Sequence, residues 1–156
     1  MTKIEKYESL NKELIAIIGY ETNITANLAN ITALLFECLK HHWIGFYMIQ
    51  GEQLVLAPFQ GPVACTRIKY GKGVCGTAWR ENKTMLVDNV DEFPGHIACS
   101  VHSKSEIVIP IRNQNGTVLG VLDIDSANLC EFDKEDANGL EMICKTIDKM
   151  IIRCTK

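Results

Sequence analysis

A chain of 156 residues has the length of one compact domain, enough to bury about two-thirds of the surface it exposes when unfolded. Its hydrophobic fraction of 47%, with 22% charged residues and a formal charge of -3, is ordinary globular composition and offers no electrostatic footprint for nucleic acid or an anionic membrane surface. The first residues alternate charge with apolar side chains, and no apolar run reaches spanning length, so neither a signal peptide nor a membrane span is expected and the location is read as cytoplasmic.

Thr2-Lys3-Ile4-Glu5 reads as a capping box opening a helix, with Ile4, Tyr7, Leu10, Leu14, Ile15 and Ile18 on one stripe before Gly19. A second helix starts at Thr22 or Asn23 and turns Ile24, Leu28, Ile31, Leu34, Leu35, Cys38 and Leu39 inward. WIGFYMIQ and QLVLAPF flank Gly51-Glu52 as two strands of a hairpin. A short helix is expected within Val74 to Asn82, after Gly71 and Gly73, and TMLVD follows as a strand. Asn89 to Lys104 has no sustained period and reads as a long ordered loop, a kind that is often functional. SEIVIPIR and TVLGVLDIDS flank the turn Asn113-Gln114-Asn115-Gly116. Phe132 and Asp133 lead into a last helix whose buried face is Leu140, Ile143, Ile147, Met150, Ile151 and Cys154. The order implies an α+β layer fold over residues 1–156, with N- and C-terminal helices packed on one face of a mostly antiparallel sheet of about six strands.

The last hairpin has chemical content. If Arg112 faces Thr117, regular pairing sets Glu106 opposite Asp123, and the period of two adds Asp125 to the same face. The other face carries Ile107, Ile109, Ile111, Val118, Leu122 and Ile124, which suits a core against helices. Like charges gathered on one sheet face repel. A bound cation, a ligand's ammonium group or protonation of one carboxyl would offset this, the last making a general acid; solvated, splayed strand ends would do so without function. In Trp43-Ile44-Gly45-Phe46-Tyr47, Trp43 and Tyr47 share a face with Gly45 between them, which reads either as a slot for a small ligand or as core.

Seven cysteines in a cytosolic setting are expected to be reduced thiols without structural disulfides. Cys38, Cys144 and Cys154 fall on buried helix faces. Cys65, Cys75 and Cys99 stand in small or Gly-rich contexts, GPVACTR, GKGVCGTA and GHIACS, where backbone can approach a ligand or another segment closely. His96, Cys99 and His102, completed by Cys65 or Cys75, could be weighed as metal ligands. Without a Cys-x-x-Cys pair or a His-Glu-x-x-His helix this spacing is weak, and no metal is expected. A Cys-His hydrolase is disfavoured by the lack of a recognisable nucleophile motif.

Taken in order, WIGFY, LAPFQGPVACTRI, GKGVCGTA, GHIACS, SEIVIPI and GVLDIDS resemble the free methionine (R)-sulfoxide reductases, a family of stand-alone GAF-domain enzymes, over nearly the whole chain. The resemblance implies free L-methionine (R)-sulfoxide as substrate. It implies no bound cofactor, with thioredoxin, fed by NADPH and thioredoxin reductase, as reductant. By position it implies Cys99 as the nucleophile that becomes a sulfenic acid, Cys65 as the resolving cysteine and Cys75 as a third motif cysteine. Glu106, Asp123 and Asp125 then resemble the substrate-binding carboxylates, Glu106 also having a catalytic role, and Trp43 with Tyr47 the aromatic pocket; a homodimer is also implied. Two other classes share these features: a GAF sensor that binds a metabolite without turnover, and a cysteine redox switch without a substrate.

Overall fold

Each expected helix is present with a physical reason for its start. In the computed structural model, which describes residues 1–95 and 102–156, α1 (Lys3–Ile18) opens on the Thr2/Glu5 capping box: Thr2 Oγ1 accepts from the Glu5 N–H at 3.1 Å, and the Thr2 N–H donates back to Glu5 at 3.0 Å. Asn23 caps α2 (Ile24–Leu39) through the Ala26 N–H. Asp133 caps α4 (Lys134–Cys154) in a second reciprocal box with Asp136. Lys3 then reaches Asp133 at 2.8 Å and Asp136 at 3.1 Å, fastening the start of α1 to the start of α4. Tyr7 donates its hydroxyl to Asp136 at 2.7 Å beneath that contact.

The strands are β1 (Trp43–Gln50), β2 (Gln53–Gln60), β3 (Arg67–Lys69), β4 (Met85–Val87), β5 (Ser105–Arg112) and β6 (Val118–Ser126), and the short helix is α3 (Gly73–Glu81). They form one sheet in the order β3-β2-β1-β6-β5-β4, and all pairings among the described residues are antiparallel. The three-residue β3 and a 3-10 turn at Val90–Glu92 were not expected, because neither is long enough to establish a period.

The two faces of the sheet differ in what they pack against. Helices α2 and α4 cover one face around Phe46, Ile107, Ile109, Ile111, Leu122 and Ile124, and α1 packs against these two helices in the same core. Helix α3 lies over the other, among Trp43, Tyr47, Val108, Val121 and Cys75. The inward stripe of α1 is narrower than periodicity suggests: Tyr7, Leu10, Leu14 and Ile18 are buried, whereas Ile4 and Ile15 are each 53% exposed. A helix lying against one main neighbour buries only the residues that face it, and the flanks of its apolar stripe stay in water. Cys144 is buried in the helical core, while Cys38 and Cys154 are partly buried against it.

Helices α1 and α4 approach so closely that a Cβ at Gly139 would overlap the Tyr7 ring. Gly139→Ala is therefore expected to cost about 1–3 kcal/mol of stability through overpacking. Urea unfolding followed by circular dichroism measures it; an unchanged midpoint would contradict the close approach.

Candidate active site

Strand register gathers the acidic side chains on the α3 side of the sheet. Trp43 pairs with Asp125 and Gly45 with Asp123 across β1 and β6, while Glu106 pairs with Asp125 and Val108 with Asp123 across β5 and β6. The expected pairing of Glu106 with Asp123 is therefore displaced by two residues. Asn113 bonds to Thr117 across a three-residue loop with Gly116 in the left-handed region at φ 81°, and an irregularity at Ile111/Arg112 adds a second residue. A displacement of two conserves the face, so the acidic trio survives the wrong register. The irregularity does change one assignment: Leu119, not Val118, packs against the helical core.

Glu106 and Asp123 are 7% and 5% exposed, and Asp125 retains partial exposure. Among the described residues, none of the three joins a salt bridge with Lys, Arg or His. Asp123 Oδ1 is buried without a hydrogen-bond partner. Burial pushes all three carboxyls well above the usual range, and mutual repulsion adds to it: Asp123 on Glu106, Asp125 on Asp123, and Glu106 on Asp125. The direction of these shifts, together with the burial, favours the protonated-carboxyl alternative over splayed, solvated strand ends.

Cys75, on the first turn of α3, hangs over this cluster with Sγ 4.0 Å from Glu106 Oε2. Burial, followed by the negative field of Asp123 and Glu106, pushes its thiol well up. The glycines around it serve the fold. Gly71 and Gly73 take positive φ of 74° and 63° to enter α3, and a Cβ at Gly76 would meet the Lys69 carbonyl at 2.6 Å. The same helix start has no side-chain cap, because the lysine at the N-cap, Lys72, has no acceptor to offer the first N–H groups.

Trp43 and Tyr47 wall the pocket with ring centroids 5.9 Å apart and planes inclined by 23°. The slot expected at Gly45 is filled: a Cβ there would collide with Phe59 and with the Trp43 indole itself. Glycine thus lets Trp43 lie flat, and the rings line the cavity from one side. Trp43 Nε1 donates to the Pro62 carbonyl at 3.0 Å and the Tyr47 hydroxyl to the Cys65 carbonyl at 2.8 Å, tying the 61–66 segment to the wall. The cavity is completed by Val63, Ala64, Ile68, Lys72, Gly73, Val74 and Ser103. None of these seven is expected in the site from sequence, although Gly73 and Val74 are read there as a helix entry; for Lys72 and Gly73 the available signal is the Gly-Lys-Gly run before a helix. Cys65 is disulfide-bonded, whereas Cys38, Cys75, Cys130, Cys144 and Cys154 are free. Cys99 and His96 lie outside the described residues; His102 is exposed and contacts the His42 ring at 5.9 Å between centroids.

Residues 23–149 match the GAF domain family. The free methionine-R-sulfoxide reductase of Escherichia coli is 45% identical over 97% of this chain and 92% of its own length, and the yeast enzyme of that name, from Saccharomyces cerevisiae, is 40% identical over 97% and 90%. The chain belongs to the GAF-domain family of free methionine-R-sulfoxide reductases. A structure of the Neisseria meningitidis free methionine-R-sulfoxide reductase in complex with its substrate superposes with a TM-score of 0.94 at 43% identity, covering 100% of this chain and 95% of that one. The GAF fold expected from sequence is the fold observed, a six-stranded antiparallel sheet with four helices. No helix among the described residues is long and apolar enough to cross a membrane.

The acidic trio of this family member should carry a measurable stability cost. A carboxyl raised by burial costs nothing below about pH 4, where the unfolded chain is protonated too, and the cost grows as pH rises toward the raised value. Asp123→Asn is therefore expected to be about 1–3 kcal/mol more stable than the parent at pH 8, with the advantage vanishing toward pH 4. Thermal unfolding at the two pH values tests this; an advantage independent of pH would show that the trio holds no extra protons.

Proposed function

We propose that this chain reduces free L-methionine (R)-sulfoxide to L-methionine, with Cys99 as nucleophile and Cys65 as resolving thiol. The observation that carries the proposal is the pairing, in one cavity, of buried carboxyls having an orphaned acceptor with the uncapped start of α3. A free amino acid has the complementary poles. Its ammonium group suits Glu106, Asp123 and Asp125, and its carboxylate suits the α3 N–H groups with Lys72 at the rim. Trp43 and Tyr47 then offer ring surface to the sulfur end of the side chain. A methionine sulfoxide inside a polypeptide has neither free pole, so selectivity for the free amino acid follows. Preference for the R epimer rests on the family.

The chemistry balances as a two-electron reduction. A carboxyl of the trio, held toward its protonated form by burial, gives its proton to the sulfoxide oxygen as the Cys99 thiolate adds to sulfur. The hydroxyl then passes to the Cys99 sulfur as the substrate S–O bond and the transient S–S bond break, so methionine departs, the carboxyl is left as carboxylate and the enzyme carries Cys99 sulfenic acid. The Cys65 thiol condenses with it, releasing water and forming a disulfide, which thioredoxin reduces by exchange. The disulfide-bonded state of Cys65 supports this role. Cys75 keeps its proton under burial and the acidic field, which suits a supporting position better than attack. The enzyme would work in the cytoplasm as a homodimer, without a bound cofactor.

Three measurements test the reading. Cys65→Ser should release one equivalent of methionine and accumulate a dimedone-reactive sulfenic acid at Cys99, while Cys99→Ser releases none; the reverse pattern would reject the assignment. Glu106→Gln should lower kcat/KM in a thioredoxin-coupled, NADPH-consuming assay by about 100-fold or more, with the fold retained. Absence of turnover by the parent chain would favour the sensor or redox-switch alternatives, and equal rates on free and peptide-bound sulfoxide would contradict recognition through the amino acid's poles.

A further inference from the structure

The geometry points to a cation site formed by Cys75, Glu106 and Asp123, selective for a thiophilic divalent ion of the Zn2+ class. One ligand atom from each residue lies within 4.8 Å of the other two, and all three residues are buried. A tetrahedral zinc with bonds of about 2.3 Å to sulfur and 2.1 Å to oxygen sets its ligand atoms about 3.6 Å apart. The Cys75 Sγ to Glu106 Oε2 distance of 4.0 Å needs a contraction of only a few tenths of an ångström to match. Independently of this clustering, Asp123 is 5% exposed and its Oδ1 has no hydrogen-bond partner, an already desolvated acceptor on a side chain that lines the same cavity as Cys75 and Glu106.

The donor set chooses the metal. Mg2+ and Ca2+ require six or more oxygen ligands, whereas one sulfur with two or three carboxylate oxygens in a closed space suits Zn2+ or Cd2+. Asp125 or a water fills the fourth position. Binding is not a redox step: the Cys75 thiol and any protonated carboxyl release their protons to solvent as the metal enters. This ligand set differs from the His96, Cys99 and His102 spacing considered from sequence, because it depends on β5, β6 and α3 converging. A cation held here would occupy the position assigned above to the substrate's ammonium and would inhibit; that consequence alone rests on the reductase reading.

The test is made without substrate, so its outcome is independent of the catalytic proposal. The full chain, reduced with a phosphine and freed of metals, is titrated with Zn2+ by calorimetry and with Co2+ by absorption spectroscopy. One equivalent of each should bind, Co2+ giving a thiolate-to-metal charge-transfer band. Cys75→Ser should abolish the band, and Asp123→Asn, expected to fold stably, should weaken Zn2+ binding by about 10-fold or more. The Cys65→Ser/Cys99→Ser double variant should still bind one equivalent and keep the band. A band that persists in Cys75→Ser, that is lost in the double variant, or that never forms in the parent would overturn the site, as would unchanged Zn2+ affinity in Asp123→Asn.

Discussion

Burying three carboxyl groups together on one face of a β-sheet opposes folding twice, through desolvation and through mutual repulsion. The architecture offsets both. The opposite face carries the large apolar core, in which Phe46, Ile107, Ile109, Ile111, Leu122 and Ile124 meet α2 and α4. The strands that bear the acids are thus held from behind by the hydrophobic effect, and their register cannot slip by one residue without moving this whole apolar set to the wrong side. Retained protons provide the remaining relief. The cluster exists because the sheet is anchored elsewhere.

The same constraint explains the neighbouring elements. Helix α3 covers the acidic face, and its glycine-dependent entry brings Cys75 over the trio while leaving the helix start without a side-chain cap. Trp43 can lie flat only because position 45 has no Cβ, and its indole then holds the Pro62 carbonyl. Tyr47 holds the Cys65 carbonyl from the same strand, so the wall of the pocket positions a cysteine backbone through two residues of one β face. Polar groups needing partners converge on one cavity, the place proposed above for the dipolar amino acid.

Two chemical roles are separated here by environment. Burial pushes the carboxyls toward the forms that can donate a proton, the role proposed for them, and it pushes the neighbouring Cys75 thiol up as well. A thiol meant to attack must therefore be supplied from outside the most acidic part of the pocket. This is the physical sense of assigning nucleophile and resolving roles to Cys99 and Cys65 while Cys75 stays with the acids. A soft divalent cation reverses the arrangement, since it favours the deprotonated forms of the same side chains.

Local signals were enough for much of the molecule. The capping box at Thr2, the stripes of α2 and α4, the two hairpins and the sharing of one face by Glu106, Asp123 and Asp125 all follow from periods and turn chemistry within a few residues. Parity explains why the face was legible although the register was not: the three-residue loop closed by Gly116 and the irregularity at Ile111/Arg112 each shift pairing by one, and together they restore the side. Tertiary structure decided the rest. Exposure of Ile4 and Ile15, replacement of Val118 by Leu119 and filling of the Gly45 slot by Trp43 depend on what lies across a gap, which no local pattern encodes. So does the meeting of Cys75 with Glu106 and Asp123, 31 and 48 residues along the chain, which required α3 to fold back over the sheet.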